Sequence, residues 1–445
     1  MNKYFLLIII FIIVIIYKNY DNIKIWLINR IIVNRGIISP NRFWYKISDL
    51  FLSDGSGIDL YNSYKKKYGD FGLSTMFGNR IYLVTNVKYI KIILDNSPNL
   101  FQVGKIKEKF FKEFMPKNVG ISKGCPWANR RKINEFALDT DQLHKYSQKY
   151  NEDMYQTLLN WKNKSEFRYE DFSKVSKKMV SKIIFNEDKI HEDIFIYLSE
   201  INTTEVFTNS EFKVKKSIEN NFIQTINYYI ENPNPDSLIK SCLDISNNNE
   251  EIFDQIPHFI FPIGGLFITT IPRLLIMIFN DKYVFNKVIQ EVNSTSNNSK
   301  NIYDMKYLRK CIMETLRLIN PLITTFRTLS EDFSFDEKYS FKKGTQFLIL
   351  NNPVLREKEY FEKPNEFRPE RWTEEMELSY YAISFNQGPQ RCPAKELSIY
   401  LCQSFIYNFF KIKNINKDTK IKYNKLDNKD IPQTINPFSI KIQID

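Results

Sequence analysis

Histidine is scarce in this chain. Of 445 residues only His144, His191 and His258 are histidine, and they stand far apart. No HExxH or P-loop pattern occurs, so zinc proteases and P-loop enzymes have no support. The three histidines read as structural or surface residues. Cysteine is scarce as well: Cys125, Cys242, Cys311, Cys392 and Cys402 are odd in number, widely separated and free of any CxxC. That excludes a disulfide framework, fits a reducing compartment and leaves at least one thiol free to be a ligand. No zinc-knuckle spacing or RNP-type motif accompanies the net charge of +12. Apart from short runs such as Lys65–Lys67 the lysines are scattered, so no nucleic-acid partner is implied and the excess reads as a solvated basic surface. Internal repeats and a regular βαβ alternation are also missing.

What is present is apolar. Hydrophobic residues make up 43% and aromatics 15% of the chain, enough for a large core. Tyr4 to Tyr17 is an uninterrupted apolar run between Lys3 and Lys18. As a helix it reaches roughly 21 Å, short of the roughly 30 Å hydrocarbon core, but lysines snorkel and tyrosine suits the interface. No small-residue cleavage site follows, which favours an uncleaved anchor over residues 1–20 against a cleaved signal peptide or a buried helix. Cations are denser after the run (Lys18, Lys24, Arg30, Arg35) than before it. The positive-inside rule then puts the main body on the cytosolic side of a membrane, as in the endoplasmic reticulum.

A basic linker, 21–40, leads into one domain expected over 41–445. Phe71 to Val84 reads as two short strands around a turn at Gly78-Asn79. Helical patterns dominate from about Gln142 to Leu318, strand-like pieces return from Phe341 to Leu350, and a last helix runs from about Pro393 to Lys411. The Asn/Ser-rich stretch Asn293 to Asn301 reads as a surface loop. Ile256 to Phe279 is long enough to span a bilayer, but it holds Pro257, Pro262, Pro272, His258 and Arg273. A buried central helix accounts for it better. The expected class is mainly α with a small β region.

The densest chemical signal is Phe385 to Ala394, FNQGPQRCPA. Gly388 and Pro389 make a turn, and Cys392 precedes a helix whose first residue is expected to be Pro393, a position that suits proline. Backbone N–H groups and the dipole at that end favour a thiolate. A cysteine near a helix start is, taken alone, most often an ordinary buried thiol. Upstream, Glu314 and Arg317 are three apart and share a helix face. Arg371, in FRPERW (Phe367 to Trp372), could complete a buried Glu–Arg–Arg network, since buried charges survive only when paired.

In this order and spacing the motifs resemble the cytochrome P-450 family. Trp127 and Arg131 in WANRR, KKGT at Lys342 to Thr345 and KYG at Lys67 to Gly69 extend the resemblance. It covers the chain from about Lys67 to Lys411, strongly in the last 130 residues or so and weakly between about Lys145 and Asn248. The resemblance implies a P-450-like helical fold with a long central helix over a b-type haem. Cys392 would be the axial iron ligand, its thiolate pushing electron density toward the iron. Glu314, Arg317 and Arg371 would hold the fold around the ligand loop. Trp127, Arg131, Arg327 and Arg391 would lie at the haem propionates, and Phe385 beside the sulfur. The implied activity is a monooxygenase acting on an apolar small molecule, with electrons from NADPH through a flavoprotein reductase that a basic surface would suit.

Two departures stand out. Family members usually carry Arg two residues before the cysteine, where this chain has Gln390, and Ala394 replaces a glycine two residues after it. Nor does the central helix hold the usual acid–alcohol pair. Gly265 and Leu266 fall at those positions, Thr269 is the alcohol within one turn, and no Asp or Glu lies between Asp254 and Asp281. This keeps two further readings open: an enzyme that uses or rearranges a peroxide, and a degenerate haem-binding protein without monooxygenase activity.

Overall fold

The computed structural model describes residues 58–76, 79–112, 114–201, 214–423 and 437–445. The expected anchor, the basic linker, the start of the expected domain and Gly78 of the expected turn lie outside these residues. Helices dominate and three small sheets flank them. The largest sheet has five strands in the order Phe71–Met76, Asn79–Val84, Gln346–Leu350, Thr324–Leu329 and Phe101–Val103. Only Asn79–Val84 and Gln346–Leu350 pair in parallel. Gln346–Leu350 is buried at every position, as its unbroken apolar run requires of an interior strand. Thr324–Leu329 instead alternates, with Thr325, Arg327 and Leu329 on its buried face.

Both strands expected from Phe71 to Val84 form. The turn inside Phe341 to Leu350 uses Gly344 at φ +84°, between Ser340–Phe341 and Gln346–Leu350. Two boundaries differ from expectation. The last helix is Lys395–Ile412, so Pro393 stands before it and Ala394 is its N-cap. The surface loop shrinks to a few residues after Ser294, because the Asn298 side chain accepts the Asn301 N–H and caps a new turn, Ser299–Tyr303.

The helix Asn249–Asn280 is long and apolar enough to cross a membrane by length and composition. It nevertheless runs through the protein interior. Its rings pack on neighbours along its length, Phe253 on Phe222, Phe267 on Phe405 and Phe279 on Phe410, with centroids 5.9, 6.4 and 6.2 Å apart. Pro257 and Pro262 sit inside it and each removes a backbone donor. Over Leu266–Thr270 the ladder widens into a π segment, a distortion frequent where a helix lines a functional site.

Buried apolar residues form two clusters. One joins the helices, including Ile256, Phe267, Phe405 and Trp372. The other surrounds the five-stranded sheet, with Phe71, Ile90, Phe101, Phe347 and Ile383.

Candidate functional site

Glu314 and Arg317 lie on the helix Lys306–Leu318, whose last two turns are wholly interior. Both side chains are fully buried. Arg317 Nε donates to Glu314 Oε2 at 2.8 Å and Nη2 to Oε1 at 2.9 Å. Arg371 Nε reaches Oε1 at 3.1 Å, and the Arg368 N–H reaches the same oxygen at 2.9 Å. Trp372, not singled out in the sequence, donates its indole N–H to Oε2 at 2.9 Å. Arg317 and Arg371 spend their remaining donors on the carbonyls of Leu355, Pro364, Glu366 and Glu362. The three charged residues therefore come together, and they pin the segment that leads to the Cys392 loop.

That loop is fixed from several sides. The Cys392 N–H donates to Phe385 O at 2.8 Å. Gly388 has φ +71°, and a Cβ there would lie 2.5 Å from Leu94 O, so only glycine fits against the helix Val87–Asp95. Thr140 Oγ1 donates to Pro393 O at 2.9 Å, and Arg131 Nη1 to Arg391 O at 2.8 Å. Gln387 bonds the carbonyls of Glu377 and Ser379.

Of the four other cysteines, Cys242, Cys311 and Cys402 are sealed in the core, and Cys125 is at the surface. Cys392 is partly accessible. Burial pushes its thiol up, against the Ala394 N–H and the positive charges of Arg131 and Lys395, which pull the other way. The expected helix-end stabilisation is thus present but outweighed by apolar surroundings until a cation joins the sulfur.

The helix Gly124–Ala137 ties this loop to the central helix. Arg131 holds Arg391 O, Asn134 Nδ2 donates to Gln255 Oε1 at 3.2 Å, and Arg130 meets Glu251 at 3.1 Å. Trp127 lies one turn before Arg131, and both line an open cleft of about 620 Å³ with Gly388, Pro389 and Arg391. Arg391 itself turns outward: its guanidinium pairs with Asp141 at the surface, and only its carbonyl meets Arg131. Gln390 O accepts from Asn386 at 3.2 Å and closes the turn.

On the central helix His258, Phe261, Pro262, Gly265 and Thr269 are not buried, and neither are Gly264 and Ile268. Three- and four-residue spacing puts the first five on one face. A Cβ added at Gly265 would meet nothing within 4 Å, so this face opens on a space. Thr269 Oγ1 donates to Gly265 O at 2.6 Å, the back-bond that a helical threonine makes when no other acceptor is offered.

Arg327 takes a core position of its strand, opposite Val103 and Phe347. It is 6% exposed and bonds only Ser97 Oγ and Phe326 O among the described residues. Burial holds its guanidinium down, at about 10. A buried cation without a carboxylate calls for an anionic ligand. His144 and His191 are structural: their rings bond Ala137 O and the Tyr229 hydroxyl. His258 is neither structural in that sense nor at the surface. Its Nδ1 is sealed and without a partner among the described residues.

No three His, Cys, Asp or Glu side chains gather as a metal site among the described residues. A single partly accessible thiol, with the charges of Arg131 and Lys395 acting on it, does not suit a bare ion. It fits an iron already carried by a macrocycle whose carboxylates need cations. The residues present therefore fit a haem.

The family model described as Cytochrome P-450 matches residues 265–431. Taxane 10-beta-hydroxylase of Taxus cuspidata is 29% identical over 188 residues, 39% of this chain and 37% of the relative. Beta-amyrin 11-oxidase of Glycyrrhiza uralensis is 30% identical over 125 residues, 27% of this chain and 25% of the relative. The chain spans about a fifth to two fifths of the length of the curated relatives it matches. The structure of retinoic acid bound cyanobacterial CYP120A1 superposes with a TM-score of 0.70 at 16% identity, covering 89% of this chain and 96% of that one. This chain is thus similar to the cytochrome P-450 family in sequence over residues 265–431 and in fold over 89% of its length.

Proposed function

We propose that this chain is a haem-thiolate monooxygenase that hydroxylates an apolar small molecule, taking electrons from NADPH through a flavoprotein reductase. The observation that carries the reading is the setting of Cys392: a partly accessible sulfur, on a loop pinned by Gly388, Thr140 and Arg131, beside the helix that bridges to the open face of the central helix. When bound, a thiolate-ligated haem supplies dioxygen activation. The chain's own residues do the rest. Arg131 and Arg327 receive carboxylates, Phe385 packs beside the ligand loop, and Phe261 and Gly265 leave apolar room for substrate. Thr269 holds a proton on Oγ1 and must give up its bond to Gly265 O to pass that proton on. The cleft beside Trp127 and Lys132 is the face an acidic electron donor would meet.

A second reading, turnover of a peroxide without a reductase, is favoured by one observation. The central helix offers no carboxylate between Asp254 and Asp281, and its alcohol is spent on its own backbone. Residues 1–20 would tether a domain spanning 41–445 to a membrane, a placement supported by the apolar run Tyr4 to Tyr17.

Purified protein, reduced and exposed to carbon monoxide, should give the difference band of a thiolate-ligated haem, and Cys392→Ala should lose it. A wild-type protein that takes up no haem would sink both readings. Oxygen consumption with NADPH and a reductase, set against turnover with added peroxide, separates them.

A further inference from the structure

The wall of the same internal space carries a second cation that neither the motifs nor the family positions point to. Lys107 lies on the helix Lys105–Lys112, just after the strand Phe101–Val103 that pairs with the strand of Arg327. Its ammonium has no carboxylate and no hydrogen bond among the described residues; an aromatic contact with Phe111, 5.6 Å to the ring centre, is what it has. Opposite it stands His258, from the open face of the central helix.

The two meet across Gly120. A Cβ on that residue would lie 2.8 Å from Asn118 Oδ1, 3.4 Å from Lys107 Nζ and 3.6 Å from His258 Cε1. The missing side chain lets an ammonium and an imidazole approach one spot. The loop is held there because the Gly120 N–H donates to Asn118 Oδ1 at 2.7 Å, and Asn118 Nδ2 donates to Asp254 O at 3.1 Å.

Burial, then the charge of Arg327, pushes Lys107 down to about 8. Burial, then the charges of Lys107 and Arg131, pushes His258 down to about 4. The imidazole is therefore neutral at pH 7. Its sealed Nδ1 has no partner among the described residues.

Charge counting gives the ligand's sign. Arg131 has Glu135 at 2.7 Å as its carboxylate. Lys107 and Arg327 have none among the described residues, which leaves two positive charges unmatched around one space. A buried ammonium beside a neutral imidazole makes a seat for an oxyanion, held by a charge-assisted hydrogen bond from Lys107.

We propose that Lys107, with His258, forms a carboxylate seat on the wall of the internal cavity, across Gly120 from the central helix. The carboxylate has two sources: a propionate of the haem, or the acid group of a long-chain substrate. For the first source the seat rests on the haem reading above; for the second it does not.

The test uses the full chain with and without haem, and Lys107→Met. Haem or haem dimethyl ester is loaded, and its loss to excess apomyoglobin is timed. Binding of dodecanoate and of methyl dodecanoate is followed by tryptophan fluorescence. Removing a buried charge-assisted bond should change the relevant constant by roughly 10- to 100-fold. Faster loss of haem, with loss of the dimethyl ester unchanged, assigns the seat to a propionate. Weaker dodecanoate binding, with the methyl ester unchanged, assigns it to a substrate acid. Lys107→Arg, which keeps the charge, should restore most of either loss. Should Lys107→Met fail to fold, Lys107→Gln and His258→Phe carry the same two arms. If the variants fold and neither arm moves, the seat does not exist. A wild-type chain that takes up no haem removes the haem reading, and the dodecanoate arm on the haem-free protein still decides the seat.

Discussion

At the scale of single residues, Glu314 shows why a buried charge can be kept. Its two oxygens accept five hydrogen bonds, from Arg317, Arg371, the Arg368 backbone and Trp372. Replacing Glu314 with Ala leaves Arg317 charged and fully enclosed. The expected cost is about 3–5 kcal/mol, read from urea denaturation of the haem-free protein. A loss under about 1 kcal/mol would mean that the network behaves like a surface pair. His144 makes a different residue-scale case. Its Nε2 meets Ala137 O at 3.0 Å, and its Nδ1 accepts the Tyr146 N–H at 3.1 Å. Both ring nitrogens are satisfied only in the neutral form. Burial first, with the charge of Lys145, keeps the imidazole below its usual value, against the Ala137 carbonyl and Asp139, which pull it up. The unfolded chain then binds the extra proton more readily, so the stabilisation is complete above about pH 6.5 and drains away as pH falls below it. Stability followed from pH 7.5 to 5 should decline with a shallower slope in His144→Gln. Equal slopes would contradict the assignment.

Among the elements, the central helix and the Cys392 loop make opposite demands on glycine. At Gly265 the helix faces a space, so Leu should be accommodated and should gain helix propensity of about 0.8 kcal/mol. Gly265→Leu is expected to keep or raise the urea midpoint while abolishing the spectral response to apolar ligands, since the side chain occupies their room. At Gly388 a left-handed backbone and the Leu94 carbonyl leave no place for a Cβ. Gly388→Ala should cost about 2 kcal/mol or more and release haem faster, measured by denaturation and by transfer to apomyoglobin. How much of this was legible in the sequence follows from the same physics. Glu314, Arg317, Arg371 and Cys392 were readable because their chemistry forces short, ordered spacings onto the chain. Lys107, Gly120 and His258 were not, because they come from three separate elements and meet only in space. Arg391 misled for a related reason: sequence neighbours of a ligand point opposite ways in a tight loop, and its side chain went to Asp141.

For the whole molecule, the Cys392 loop lies where the two apolar clusters meet. Ile383 belongs to the sheet cluster, while Phe385, two residues on, packs against the helical one. The Cys392 loop bears on both, since Gly388 touches Leu94 of the first and Arg131, beside Ile133 of the second, holds Arg391 O. Arg327 comes from the sheet, and Arg131 and the open face of the central helix from the helices. A ligand that engages Cys392, Arg327 and Arg131 together would bridge the seam between the two clusters. Binding only the folded state adds stability by mass action, and binding across a seam also couples the two sides. Haem-free protein should therefore unfold in two calorimetric transitions, the sheet cluster separating from the helical one. Haem-loaded protein should unfold in one, at higher temperature. In Arg327→Leu the haem's hold on the sheet is removed, so the loaded protein should again show two transitions while keeping its thiolate band through Cys392. If loaded and haem-free protein melt alike, in one step at one temperature, the haem does not bind across the seam.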